Sequence, residues 1–410
     1  MIATGLAAMM FGMIRRLTFA LLTLIAAPAA AQDAAPPPAT VVVAFDRDTI
    51  TPLIVEGQAN KETGRPVEAN DPVRIASISK LIMALTALRL MDEGKVDLDR
   101  DVSDYLGWQL RSPYQPRSPV TLAHLLSHRA GLSDKAGYII PLGESLEAKL
   151  ADPAVWRDVG PPGEAAFEYA NLGAPIVATV LEAASGERYD QLVERLVFAP
   201  LGVKACLNWI GCGPNMQARA VTLYRDNGEV ARDAPGDLPP NCTIPVAEGA
   251  ACDLDNYVPG TNASIFSPQG GVRIGMMDLA KIGQALIDLE RGGKDSFLWS
   301  VTGLRAMYEM AAGRTQETVF FCTYGLHMQM VEDPNRPCSD DRLIGDARPR
   351  WGHSGEAYGL QSGLWVDPKG DTGFVYFTTQ VPPPAGGEDT GGFTEREKAL
   401  MARAFGRAKP

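Results

Sequence analysis

A chain of 410 residues, 46% hydrophobic and 21% charged, has enough apolar surface for one large domain or two smaller ones, which excludes a disordered polymer. Its 49 acidic residues outnumber 38 basic ones for a net charge of −11, which disfavours nucleic acid and anionic membrane surfaces as partners.

Arg15 and Arg16 precede the apolar run Leu17 to Ala27, and Ala29-Ala30-Ala31 comes just before Gln32, so residues 1–31 read as a secretory signal peptide. The apolar run is too short to cross about 30 Å of hydrocarbon. The expected product is periplasmic or secreted, with no membrane span after cleavage. Without Arg15 and Arg16 the 38 basic residues fall to 36 against 49 acidic ones, a charge near −13. Residues 32–39, rich in Ala and Pro, form an expected disordered lead-in.

From Thr40 the run Val41 to Phe45, a turn at Asp46 to Asp48 and the run Ile50 to Val55 predict a strand hairpin. Ile78 to Met91, rich in Leu, Met and Ala and followed by Gly94, predicts a helix with Ser77 at its mouth. Further helices are expected over Val120 to Leu132, Asn171 to Ala184, Gln191 to Val197 and Met277 to Leu289. Strands are expected over Phe320 to Met330, Gly359 to Val366 and Gly373 to Thr379, before a final helix from Thr394 to Arg407. The fold class that results is α/β (α+β), an antiparallel sheet flanked by helices. Residues 40–94 and 265–410 supply the sheet domain, and 95–264 an inserted, mostly helical domain.

Within that insertion, residues 205–260 lose apolar periodicity and read as cysteine-rich loops. An even number of cysteines in an exported chain favours disulfides. Proximity in sequence gives the pairs Cys206–Cys212, Cys242–Cys252 and Cys322–Cys338, although six cysteines allow 15 arrangements. Neither Cys-x-x-Cys nor His-Glu-x-x-His occurs, and the four histidines are His124, His128, His327 and His353, so no metal site is expected. His124 and His128 share a helix face in this reading, without a third ligand, and are taken as structural.

Ser77-Ile78-Ser79-Lys80 is the one Ser-x-x-Lys of the chain, and residues three apart on a helix share a face, so Lys80 can reach the Ser77 hydroxyl. Sixteen serines and eleven lysines in a chain of this length predict roughly 0.4 chance occurrences of such a motif. Tyr169-Ala170-Asn171 and His353-Ser354-Gly355 follow in order and supply the missing context. Together the three motifs resemble the serine β-lactamase and D-Ala-D-Ala carboxypeptidase superfamily, especially the branch of class C β-lactamases, DD-peptidases, D-aminopeptidases and related esterases. Pro72 to Lys80 and Thr121 to Leu132 are similar to segments of that family, and the likeness runs from about Thr40 to the C-terminal helix. The insertion from about Cys206 to Asp255 does not match its pattern.

The resemblance implies a β-lactamase/penicillin-binding-protein-like fold and a serine hydrolase. Ser77 would be the nucleophile, and Lys80 or Tyr169 the base that takes its proton. Asn171 would hold the substrate amide and bond Lys80, and His353 would complete the site. Backbone N–H groups of Ser77 and Glu356 would form the oxyanion hole, with Ser354 and Gly355 along the substrate. No cofactor is implied. Histidine at 353, where class C β-lactamases carry lysine, moves the expectation from β-lactams towards D-amino-acid peptides or esters, because imidazole is mostly neutral above about pH 6.5. A glutamate at 356 is expected to disfavour anionic substrates at the rim. The alternatives are a class C-like β-lactamase and a penicillin-binding sensor or scaffold without turnover. The partner is a small-molecule or peptide substrate, and the oligomeric state is open.

Overall fold

The computed structural model describes residues 37–291, 320–321, 323–334, 338, 341–367, 369–382 and 392–406. The expected signal peptide lies outside these residues. Pro38 bridges Gln58 and Ala39 is buried, so ordered structure is under way before the first long strand.

Nine strands and five helices carry the account: β1 (Thr40–Asp46), β2 (Ile50–Glu56), β3 (Val73–Arg74), α1 (Ile78–Asp92), α2 (Leu122–Leu126), α3 (Gly173–Ser185), β4 (Ala205–Leu207), β5 (Val272–Ile274), α4 (Met276–Arg291), β6 (Gln329–Val331), β7 (Arg350–Ala357), β8 (Leu360–Asp367), β9 (Thr372–Thr378) and α5 (Glu395–Phe405). Six of the strands form one antiparallel sheet in the order β6-β7-β8-β9-β1-β2. The first and last strands are neighbours in its middle, with Val43 opposite Val375.

Alternate residues of a strand point to opposite faces. In β1, Val41, Val43 and Phe45 enter the main core while Val42 enters a second one, which Trp365, Phe374 and Tyr376 share with Leu400 and Met401 of α5. Both faces are therefore covered, which explains the unbroken apolar run from Val41 to Phe45. The α4 helix packs on the main-core face, and Gly283 and Gly373 leave room for the Phe45 ring, which a Cβ at either position would strike.

Nearly all of α1 is buried, so it is apolar around its circumference rather than along a stripe. It stops where Gly94 takes φ 69 and donates to the Met91 carbonyl. A small sheet, β3-β5-β4, leads the chain into Ser77. The expected helix over Val120 to Leu132 ends early, at Leu126, because His128 turns to φ 56 and its Nδ1 accepts the Ala170 N–H at 3.2 Å. The expected strand over Phe320 to Met330 is also mostly irregular. Tyr324 makes a bridge to Gln329, and regular pairing is confined to β6.

Disulfides join Cys206 to Cys212 (Cα–Cα 5.4 Å) and Cys242 to Cys252 (6.0 Å), as sequence proximity implies. Cys338 is also disulfide-bonded, and its expected partner, Cys322, lies outside the described residues. A buried ion pair ties the loop region to the small sheet: Arg273 donates to Asp233 at 2.8 Å, and Trp209 Nε1 donates to the same carboxylate at 2.9 Å. Among the described residues no helix is long and apolar enough to cross a membrane.

Candidate active site

Ser77 caps α1 without using its hydroxyl as a cap, so that oxygen stays available. Ala76, just before it, is held at φ 47, a left-handed conformation that costs a side-chain-bearing residue about 1 kcal/mol or more. The turn presents Ser77 to a cleft of about 900 Å3 that Tyr169, Asn171, Ser354, Gly355 and Glu356 also line. Gly355 is close to the backbone before Ser77: a Cβ there would collide with the Ile75 carbonyl and the Ser362 hydroxyl. Ser362 Oγ donates to that same carbonyl at 3.0 Å, fixing β8 against the approach to the helix.

Lys80 is fully buried, one turn into α1. Its Nζ lies 2.7 Å from Asn171 Oδ1, 3.1 Å from the Gln269 carbonyl and 3.1 Å from Ser77 Oγ. Burial lowers its pKa from 10.5 to about 7, and the charge of Asp134 holds it from falling further. The first two partners can only accept. A neutral amine has two hydrogens for them and one lone pair left for the serine proton, whereas the ammonium would spend its third hydrogen on Ser77. The Asn171 orientation follows from Asp134, whose Oδ2 accepts both the side-chain amide (3.0 Å) and the backbone N–H (2.7 Å) of Asn171. Asp134 Oδ1 accepts the Leu172 N–H at 2.9 Å, anchoring the start of α3. Asn171 is therefore not the cap of that helix, which begins after Leu172.

Tyr169 stacks on Phe321, with centroids 4.7 Å apart, and Lys80 Nζ sits 4.7 Å from its ring centre. His353 is fully buried on β7, and its ring lies 6.1 Å from that of Tyr169. It does not line the cleft, unlike the three residues after it. The β6 ladder pairs β7 only from Arg350 to Gly352, and beyond it Ser354, Gly355 and Glu356 border the cleft.

Behind β7 lies a cluster that spacing does not reveal. Tyr324 Oη is 2.9 Å from His353 Nε2, 3.3 Å from His327 Nδ1 and 3.4 Å from His128 Nε2. Burial keeps all three imidazoles neutral, taking His353 down to about 3. One proton arrangement satisfies the set. His353 Nδ1 lies 2.5 Å from the Ser354 carbonyl, so it carries the hydrogen, and its Nε2 accepts from the Tyr324 hydroxyl. His128 Nδ1 accepts from Ala170, so its Nε2 carries the hydrogen and donates to Tyr324. His327 Nδ1 donates to the same oxygen, and its bare Nε2 meets no partner among the described residues.

Asp134, Gln269 and Tyr324 are the residues that sequence reasoning missed. Nothing in their spacing separates them from ordinary loop residues. His124 instead caps α2, its Nδ1 accepting the Thr121 N–H at 3.3 Å. No group of three or more His, Cys, Asp or Glu among the described residues is placed to hold a metal ion.

An antiparallel sheet with a buried Ser-x-x-Lys helix against it defines serine hydrolases of the β-lactamase and penicillin-binding-protein type. The chain belongs to the beta-lactamase family, whose model matches residues 31–394. It is 31% identical over 169 residues to the esterase EstB of Burkholderia gladioli, an alignment spanning 37% of this chain and 42% of that one. The match thus covers less than half of the esterase. It is 23% identical to penicillin-binding protein 4 of Amycolatopsis lactamdurans over 87% of this chain and 83% of the relative. A class C β-lactamase from Rhodobacter sphaeroides shares the fold at a TM-score of 0.59 and 18% identity, over 90% of this chain and 94% of the other.

Proposed function

We propose that the chain is an exported serine hydrolase that forms an acyl-enzyme on Ser77, acting on D-amino-acid peptides of the peptidoglycan kind or on esters. The observation that carries this reading is the hydrogen-bond arithmetic at Lys80: two carbonyl acceptors and the Ser77 hydroxyl surround a nitrogen that titrates near neutrality. Ser77 Oγ attacks the substrate carbonyl carbon while its proton passes to Lys80 Nζ. The oxyanion meets the backbone N–H groups of Ser77 and Glu356, at the positive end of α1. Lys80 and Tyr169 return the proton to the leaving amine or alcohol. Water then repeats the sequence on the ester and frees the acid and Ser77.

The esterase and penicillin-binding relatives support the substrate classes. A neutral, buried His353 supports peptides or esters over β-lactams, since it gives a β-lactam carboxylate no fixed charge there. Disulfides support an oxidising compartment. Intact-protein mass spectrometry with p-nitrophenyl esters, D-alanyl dipeptides and nitrocefin tests the reading. An acyl adduct on Ser77 that turns over, and is lost in Ser77→Ala, is the expected result. Undiminished ester or peptide hydrolysis by Ser77→Ala would end it. Fast nitrocefin turnover alone would favour a β-lactamase, and an adduct persisting for hours a sensor.

A further inference from the structure

The two ends of the cleft differ in chemistry. Phe320, Phe321 and Phe393 line it near the start of β7, where Gln329, opposite Gly352, donates to the Phe320 carbonyl. Arg74, Arg232 and Tyr358 line it just past Ala357, at the end of the same strand. About six residues of extended chain separate the ends, roughly 20 Å.

Arg74 is only 6% exposed. Its Nη2 donates to Ser267 Oγ at 3.2 Å, while Nε and Nη1 meet no acceptor among the described residues. Asp233 is committed elsewhere, since Arg273 donates to both of its oxygens, at 2.8 and 3.2 Å. Burial first, and then the charge of Arg273, pull the Arg74 pKa down, and the charge of Asp233 offsets part of this without a hydrogen bond to Arg74, yet an arginine keeps its proton at neutral pH. A buried cation with donors to spare is costly until an anion meets it. Arg232, half-buried, adds a second positive charge: the two guanidinium carbons lie 5.1 and 5.8 Å from the centre of the Tyr358 ring.

Tyr358 and Gly359 form the two-residue turn between β7 and β8 with φ 56 and 76, positions where Asn and Gly are the ordinary occupants. A bulky ring at such a site is held over both guanidiniums, and at 36% exposure it is a surface cover rather than packed core. Glu356 also lines the cleft, two residues before Tyr358, and repels an anion held level with it, so the cationic corner is where a negative group is favoured.

We propose that Arg74 and Arg232, covered by Tyr358, form a carboxylate-binding subsite. The substrate thus bears a carboxylate at this end of the cleft and an apolar or aromatic group at the other. The inference rests on the reading of Ser77 as the acylated nucleophile. Three residues of backbone separate Arg74 from Ser77, at most about 10 Å of chain and less because it turns at Ala76, a span within reach of a carboxylate some four methylenes from the scissile carbonyl.

The probes are mono-p-nitrophenyl adipate and its methyl ester, which differ by one charge. The wild-type chain should favour the charged ester about tenfold in kcat/KM, as a charge-assisted contact implies. The ratio should fall towards one in Arg232→Gln and shrink in 0.5 M NaCl. A wild-type ratio at or below one overturns the subsite. Equilibrium binding of both esters to Ser77→Ala protein, which cannot acylate, separates this inference from the hydrolase reading. Tighter binding of the charged ester that Arg232→Gln abolishes upholds the subsite even if neither ester acylates Ser77, an outcome that would remove the hydrolase reading alone. Equal binding of the two esters overturns it.

Discussion

Two buried polar clusters flank Tyr169, and they manage protons in opposite ways. Around Lys80 there are three acceptors for a nitrogen that carries two or three hydrogens near neutral pH, so one hydrogen is in play. Around Tyr324 every hydrogen has one consistent place, and burial keeps the imidazoles from taking another. Both clusters hold buried groups beside aromatic rings, so burial alone does not make a group reactive. Reactivity needs a site whose proton count is undecided at working pH, and rigidity needs one whose count is settled.

Breaking the first cluster should have the largest effect. Lys80→Met removes the proposed proton acceptor and should lower kcat on an activated ester by about 10³-fold in a stopped or continuous assay. The same change replaces a buried, pKa-depressed amine with an apolar chain, so Tm should hold or rise while activity falls, a stability–function trade-off. Loss of both together would show that Lys80 is structural.

The second cluster is tested by Tyr324→Phe, which deletes the hydroxyl shared by three imidazoles. Stability should fall by about 1–3 kcal/mol, the cost of leaving buried polar atoms unpaired. Imidazole nitrogen NMR should show His353 changing from a single Nδ1–H tautomer to a mixture, with kcat reduced about tenfold and KM little changed. An unaltered tautomer spectrum would contradict the proton arrangement.

A pH profile sharpens the contrast. In the proposed mechanism Lys80 acts only when neutral, so kcat/KM should climb about tenfold per pH unit at low pH and level off above about 7. The depressed pKa also acts on stability. Between about 7 and 10.5 the unfolded chain binds the proton that the folded chain has lost, so this group favours folding more as pH rises across that window, and below 7 its contribution is flat. His353, lowered to about 3, should leave no inflection between pH 5 and 8.

The smallest expected change is that of Asp134→Asn. The Asp134 charge raises the Lys80 pKa, so its removal should move the acid limb to lower pH by a fraction of a unit. A limb that moves upward would mean that Asp134 does not act through charge.

The sheet and α1 were legible because both are unbroken apolar runs bounded by turn residues or a glycine stop. The unbroken run Val41 to Phe45 suits a strand covered on both faces, and Gly94 and Gly186 mark helix ends by taking left-handed φ. Ser77, Lys80, Tyr169 and Asn171 were singled out through motif and order, and the structure brings Ser77, Tyr169 and Asn171 together at the cleft with Lys80 buried behind them. Their partners were not. Asp134 and Gln269 act through one carboxylate and one backbone carbonyl, and Tyr324 acts through contacts with residues 196 and 29 positions away. Such pairings exist only after the chain has folded. The early end of α2 was hidden for the same reason, since the φ of His128 is held by a bond to Ala170, 42 residues on.

The neighbouring placement of β1 and β9 has a consequence for synthesis. Thr40 pairs with Thr378, so a nascent chain emerging from the ribosome leaves β1 with a single partner until almost the whole protein has been made. Such long-range pairing is slow to form. The central ladder of the main sheet therefore closes only once the stretch from Thr372 to Thr378 has been made.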